Sequence, residues 1–292
     1  MKAHHRTTEN QKALWSKRVL RALQTAGAIL VTVILAFPLY WMLITSLKSG
    51  EELLSPTPAF WPTTGLHFEN YYIAVTRVPI FQYMFNTLLV TIAHMGLQIV
   101  FGVFAAYGFA KGRFRCRNLL FVLVLGALMI PQQVTFVPLY ILIANLNMID
   151  TFAGLILPGA VSAYLIFMLR QNFMAVDQSY LDAGKMDGLG IIGTIRHIMI
   201  PMCRASVITV GLVSLIDGWN NYFWPKIISK TDMTRVLAVG LVQLRDSWDA
   251  SQKHMYYNCV MAGVLISIIP IVIMFFMNQK NMLSGYSKAA MK

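Results

Sequence analysis

The sequence predicts an all-α fold: a polytopic integral membrane protein with six transmembrane helices. Of 292 residues, 57% are hydrophobic and only 12% charged, whereas soluble domains carry about 25% charged residues. Six stretches are free or nearly free of ions, and each can hold the roughly 17–25 residues that cross hydrocarbon. Basic residues, finally, concentrate in alternate loops, the pattern that fixes topology in a bilayer.

In chain order, Ala22 to Leu47, Val78 to Ala110, Asn118 to Ile149 and Thr151 to Leu169 carry no Asp, Glu, Lys or Arg. Ala205 to Pro225 is interrupted only by Asp217, and His254 to Gln279 closes the series. The expected spans are about 22–47, 84–110, 118–143, 152–170, 204–225 and 255–279, preceded by a cytoplasmic segment 1–21. Pro131 and Pro138 interrupt the third. The first outer loop holds Pro56, Pro58, Pro62 and Pro79 and reads as extended chain with a short surface helix near Phe68–Thr76. The opening apolar run exceeds a signal-peptide core, so an uncleaved first helix is expected.

The net charge of +12 would suit nucleic acid, but its distribution gives another account. Lys2, Arg6, Lys12, Lys17, Arg18 and Arg21 precede the first span. Lys111, Arg113, Arg115 and Arg117 follow the second, Arg170, Lys185, Arg196 and Arg204 the fourth, and Lys280, Lys288 and Lys292 the sixth. The remaining loops hold only Lys48, Arg77, Lys226, Lys230, Arg235, Arg245 and Lys253. This bias places both termini in the cytoplasm and excludes a nucleic-acid footprint. Cys116, Cys203 and Cys259 are isolated, with neither metal spacing nor a disulfide framework. No Gly-x-x-x-x-Gly-Lys-Ser/Thr loop is present to cradle ATP phosphates, and no nucleophile–base pair or metal cluster suggests catalysis.

The loop after the fourth span carries the most information. Asp177 is an N-cap for helix formers running to Met186. Asp187-Gly188 then reads as a stop, because glycine accepts the left-handed C′ position. Gly190 can cap a second helix that aligns Ile191, Ile195, Ile198, Met199 and Met202 at helical spacing. Pro201 marks the start of the fifth span. Two readings of the apolar stripe stay open: packing on the protein's own helices or on headgroups, and docking of a cytoplasmic subunit. Buried against such a partner, each side chain would contribute about 1.5–3 kcal/mol.

Asp182-Ala183-Gly184, two residues, Asp187-Gly188, twelve residues and Pro201 resemble the EAA loop of binding-protein-dependent ABC transporter permeases. Asp182 stands for the usual Glu, Gly184 for Ala and Ile200 for Leu. Gly184 is expected to loosen the first helix by about 1 kcal/mol relative to Ala. The sugar-type subfamily, a MalG-like subunit, is resembled further on. The similar motifs are Pro38 to Met42, Thr45 to Lys48, Asn86-Thr87-Leu88, Ala105 to Ala110, Ile130 to Thr135 and Gly154 to Pro158. Gly218-Trp-Asn-Asn-Tyr-Phe-Trp-Pro225, Leu237 to Gly240 and Gly285 to Ala290 continue the likeness.

The resemblance implies a type I ABC importer permease in a bacterial cytoplasmic (inner) membrane, carrying a sugar or oligosaccharide. Its implied partners are a homologous second permease, two ABC ATPase subunits that hold ATP and Mg, and an extracytoplasmic solute-binding protein. By this analogy Asp182, Ala183, Gly184, Asp187 and Gly188, with Ile195 and Pro201 on the helix beyond, form the ATPase-coupling loop. The outer loop 226–253 would face the binding protein. There Arg245, Trp248 and Asp249 lie where related chains insert into the binding cleft, Trp248 stacking on sugar and Asp249 accepting hydroxyl bonds.

Within the spans, Gln132, Gln133, Asn220 and Asn221 either match sugar hydroxyls or join helices. Asp217 is either a functional intramembrane carboxylate or a vestibule residue, and His94 is either a neutral histidine hydrogen-bonded to a neighbouring helix or a residue with a transport role. The rival class is a stand-alone ion-coupled carrier or channel using Asp217, and the absence of an internal repeat speaks against it.

Overall fold

The computed structural model describes the backbone of residues 2–249 and 256–290, and the side chains of 19–249, 256–274 and 276. Among the described residues every regular element is helical. In order they are α1 (Lys2–Ser46), α2 (Gly50–Leu53), α3 (Glu69–Arg77), α4 (Ile80–Lys111), α5 (Arg117–Leu128), α6 (Gln132–Asn145) and α7 (Phe152–Ile156). A 3-10 turn, Leu157–Gly159, leads to α8 (Ala163–Met174), followed by α9 (Gln178–Met186) and α10 (Ile191–Thr194). A π turn, Ile195–Met199, runs into α11 (Ile200–Met202), then α12 (Arg204–Trp219), α13 (Phe223–Ile228), α14 (Leu237–Asp246) and α15 (Tyr257–Ala290).

Three helical segments, Val19–Ser46, Ile80–Lys111 and Tyr257–Met274, are long and apolar enough to cross a bilayer alone. Three bent pairs pass the same test together, so the count reaches six if each pair is one span. The segment expected as one third helix is in fact α5 and α6 meeting at 101°. Pro131 forces the break: it caps α6 and, lacking an N–H, cannot continue α5. Pro138, by contrast, lies inside α6 without ending it. The fourth segment bends by 43° after Gly159. Before the fifth, the 88° bend comes at Cys203 rather than at Pro201. Pro201 sits in the first turn of α11, where its missing N–H is tolerated.

The chain forms two compact units, Met1–Ile73 with Trp248–Leu265, and Ala74–Ser247 with Ile266–Lys292. In the first, α1 exposes leucine, isoleucine and valine around its circumference, as a lipid-facing helix does. Its C-terminal end is tied by side-chain amides. Asn70 donates to the Ser46 and Lys48 carbonyls, both at 2.9 Å, and Asn258 donates to the Lys48 carbonyl at 2.8 Å and to Asn70 Oδ1 at 3.1 Å. Ser49 and Glu52 form a capping box on α2.

In the second unit α4 is the spine, packed on α8 and α12 through Val103, Ala106, Leu165, Leu169 and Val210. Gly102 permits the approach: a Cβ there would touch Leu169 at 3.6 Å and Leu165 at 3.7 Å. A second cluster joins Val90, Ile143, Leu155, Trp224, Ile228 and Val236.

Candidate functional site

Two features of the second unit carry function: a fastened elbow and a cavity between broken helices.

The elbow is built as its residues dictate. The Asp177 carboxylate caps α9 by accepting from the Ser179 amide at 2.9 Å, and that bond holds its carboxyl below the usual range. At the other end Gly188 takes φ +79°, the left-handed conformation that glycine adopts without a Cβ penalty. The Leu189 amide reaches back to the Gly184 carbonyl at 2.9 Å and the Gly188 amide to Lys185 at 3.0 Å. These two bonds form a Schellman stop that satisfies the last carbonyls of α9. Gly190 begins the next helix without a side-chain cap. Asp182 accepts from Gln178 at 3.1 Å and Lys185 at 3.2 Å, and both bonds lower its carboxyl.

The apolar stripe divides. Ile195 is 4% exposed and Met199 0%, both in the core with Leu181 and Phe173. Ile191 lies in the first turn of α10, at the elbow, while Ile195 and Met199 lie farther along, in the π turn. What the elbow presents outward is Met186 at 89% exposure, Ile191 at 65% and Ile192 at 69%. Of the residues assigned to coupling, Asp182, Ala183, Asp187, Gly188 and Pro201 are on the surface, whereas Gly184 and Ile195 are inside. Ile195 therefore fastens the elbow and is not an outward contact. Gly184 has a packing reason, since a Cβ there would meet Ile198 Cδ1 at 2.5 Å. The expected loosening of α9 is thus offset by closer contact with the following helix.

The cavity is about 440 Å³. Three interruptions of helix open onto it: Leu128 to Gln132 between α5 and α6, Gly159 to Ala163 before α8, and Asn221 between α12 and α13. Unpaired backbone is tolerated at membrane depth where it lines such a space. Of the expected path residues, Gln132 and Asn221 line the cavity, while Gln133, Asp217 and Asn220 are exposed and are not part of its wall. Thr135, Ser162 and Tyr164 join the wall. These were missed in the sequence because single hydroxyls in apolar runs give no periodic signal. Among the described residues, no Asp, Glu, Lys or Arg lines it.

One polar chain crosses its floor. Ser214 donates to Gln98 Oε1 at 2.6 Å, and Gln98 Nε2 donates to the Gly159 carbonyl at 2.8 Å and lies 3.2 Å from His94 Nε2. The hydrogen-bond partner of His94 here, Gln98, is on its own helix α4, and Gln98 carries the hydrogen bond to the Gly159 segment. Gly159 is obligatory beside His94, because a Cβ would overlap the imidazole.

The segment expected as an outer loop is largely structured: it contains the end of α13, a turn at 229–236, and α14. Residues 250–253 lie outside the described residues. Asn86 donates to the Met233 and Arg235 carbonyls at 3.0 and 2.9 Å, Thr87 accepts from the Leu237 amide at 2.7 Å, and Tyr83 donates to Asp232 at 2.7 Å. Asp150 accepts from the Lys230 and Thr231 amides and from the Thr231 and Thr234 hydroxyls. Burial pushes its carboxyl up, but these bonds outweigh that and hold it well below the usual carboxylate range. In the first unit, Trp248 is 8% exposed and stacked on Tyr256 at 5.0 Å, so its ring is not free for a sugar face. Arg245, paired with Asp246, and Asp249 are exposed.

Apolar helices able to span a bilayer, a cavity at their breaks and a Schellman-capped elbow define a polytopic membrane transport protein. The chain belongs to the family of binding-protein-dependent transport system inner membrane components, whose description matches residues 98–281. It is 29% identical over 284 residues to the arabinooligosaccharides transport system permease protein AraQ of Bacillus subtilis (strain 168), covering 94% of this chain and 96% of that protein. It is 30% identical over 264 residues to the sn-glycerol-3-phosphate transport system permease protein UgpE of Rhizobium meliloti (strain 1021), covering 88% and 92%. The fold matches a chain of a bacterial ABC transporter involved in the import of the acidic polysaccharide alginate. The TM-score is 0.79 at 20% identity, over 91% of this chain and 97% of that one.

Proposed function

We infer that this chain is one of two permease subunits of an ATP-driven importer that carries a sugar or related polyol delivered by an external solute-binding protein. Its partners in this reading are a homologous permease and two ATPase subunits, which hold ATP and Mg. Both termini and the elbow face the cytoplasm. The observation that carries the reading is the elbow: a Schellman corner that holds Met186, Ile191 and Ile192 outward while Ile195 and Met199 anchor it within. An apolar surface so exposed needs a partner, and covering each side chain contributes about 1.5–3 kcal/mol. The cavity supplies hydroxyl and amide groups suited to a polyol, with Gln132 and Asn221 in its wall. The stand-alone carrier is not retained, because the family is one of multi-component systems and Asp217 lies off the cavity wall.

The test is Gly188→Pro. Substrate uptake and co-purification of the ATPase should be lost while membrane insertion persists. Normal uptake by that variant would overturn the reading.

A further inference from the structure

The corner between α4 and α5 is more strongly basic than anything around it requires. Lys111, Arg113, Arg115 and Arg117 fall within seven residues, and no Asp or Glu occurs anywhere from residue 70 to residue 149. Lys111 is engaged, donating to the Val176 carbonyl at 2.6 Å, and Arg117 donates to the Gly112 carbonyl at 2.9 Å. Neither acceptor is a carboxylate. Arg170, close enough to Arg117 for the two to repel, stands over the Phe121 ring at 3.9 Å and adds a further positive charge. Asp182, an acid within electrostatic reach of Arg113, is already paired with Lys185 at 3.2 Å. The N-terminus of α5 also points its positive end here, and Cys116 offers its first amides no side-chain acceptor.

Shape and surroundings agree with this charge. An open hollow of about 440 Å³ is lined by Arg113, Phe114, Cys116, Arg117, Asn118 and Leu119. Immediately beyond it α5 exposes Leu119, Leu120, Val122 and Leu123, the outward face of a membrane-capable segment. An anionic group beside an apolar strip is the outline of a phospholipid, whereas free phosphate would use only the arginines.

We propose that the α4–α5 corner is a binding site for the headgroup of an anionic phospholipid, with Arg113 and Arg117 on the phosphate and the acyl chains along Leu119, Leu120 and Leu123. Because Asp182 shares the field of Arg113, an occupied site would sit beside the elbow.

The test is native mass spectrometry of the full-length protein in detergent, titrated with phosphatidylglycerol or phosphatidylcholine. Phosphatidylglycerol should bind preferentially. Arg113→Gln with Arg117→Gln should weaken it by about thirtyfold, the loss expected from removing two arginines at an anionic headgroup. Arg113→Lys with Arg117→Lys should retain binding, which separates charge from misfolding, and Arg196→Gln should change nothing. Excess inorganic phosphate should leave phosphatidylglycerol bound. Equal retention of both lipids, unchanged binding in the glutamine variant, or complete displacement by inorganic phosphate would each overturn the proposal.

Discussion

The indole N–H of Trp224 donates to the carbonyl of Gly154 at 3.0 Å, in the buried interior of the second unit. Seventy residues apart in sequence, the two belong to separate motifs of the family resemblance, which this bond joins in space. Replacing Trp224 with Phe keeps most of the ring but leaves the Gly154 carbonyl unpaired, a loss of about 1–3 kcal/mol. A lower thermal midpoint of the detergent-solubilised protein, with membrane insertion intact, is the expected result.

Gly240 lies directly against the fully buried Tyr83 ring, where a Cβ would overlap the ring carbons. Tyr83 is held by its hydroxyl to Asp232 and Gln243 at 2.7 and 3.0 Å and cannot swing away. Gly240→Ala should therefore destabilise by overpacking, by about 1–3 kcal/mol, and denaturant titration reads the change.

Met199 and Met186 should behave oppositely. Truncating buried Met199 to Ala leaves a hole in the core of the second unit and costs about 2–5 kcal/mol. Met186→Ala removes an exposed side chain and should leave stability within about 0.5 kcal/mol while weakening ATPase co-purification. Equal effects on stability would contradict the division of the elbow into an inner and an outer face.

Glu52 gives a pH signature in the first unit. Burial pushes its carboxyl up, but bonds from the Thr63 hydroxyl and amide and from the Thr64 and Ser49 amides outweigh this and bring it from 4.5 to about 2. A folded value below the unfolded one means the stabilisation is complete above the unfolded value. It is lost as pH falls from about 4.5 toward about 2. Melting curves across that range should converge for the wild type and Glu52→Gln, and separate at neutral pH.

Local chemistry was legible in the sequence. Asp177 as a cap, Gly188 as a left-handed stop and Pro131 as an interruption each act through their own backbone, and the structure keeps all three roles. Relationships across space were not. Periodicity aligned Ile195 with Ile191, but which of them was buried depended on what packs there, Leu169 and Phe173 of α8 meeting Ile195. Trp248 looked available until Tyr256 proved to cover it. Gly184 looked like a weakness because propensity counts only its own helix, not the Ile198 methyl that occupies the missing Cβ position.

Where three helices interrupt themselves around one hollow, the amides and carbonyls freed there find no substitute in hydrocarbon. Those that no protein group satisfies are expected to meet solvent in the hollow. In a deuterium-exchange experiment the amides of Gln132, Gln133, Val161 and Ser162, at the breaks, should take up label early, while the continuous ladder of α4 alongside stays protected. A seam of water at that depth means that a hydrated solute need not shed its whole shell to enter.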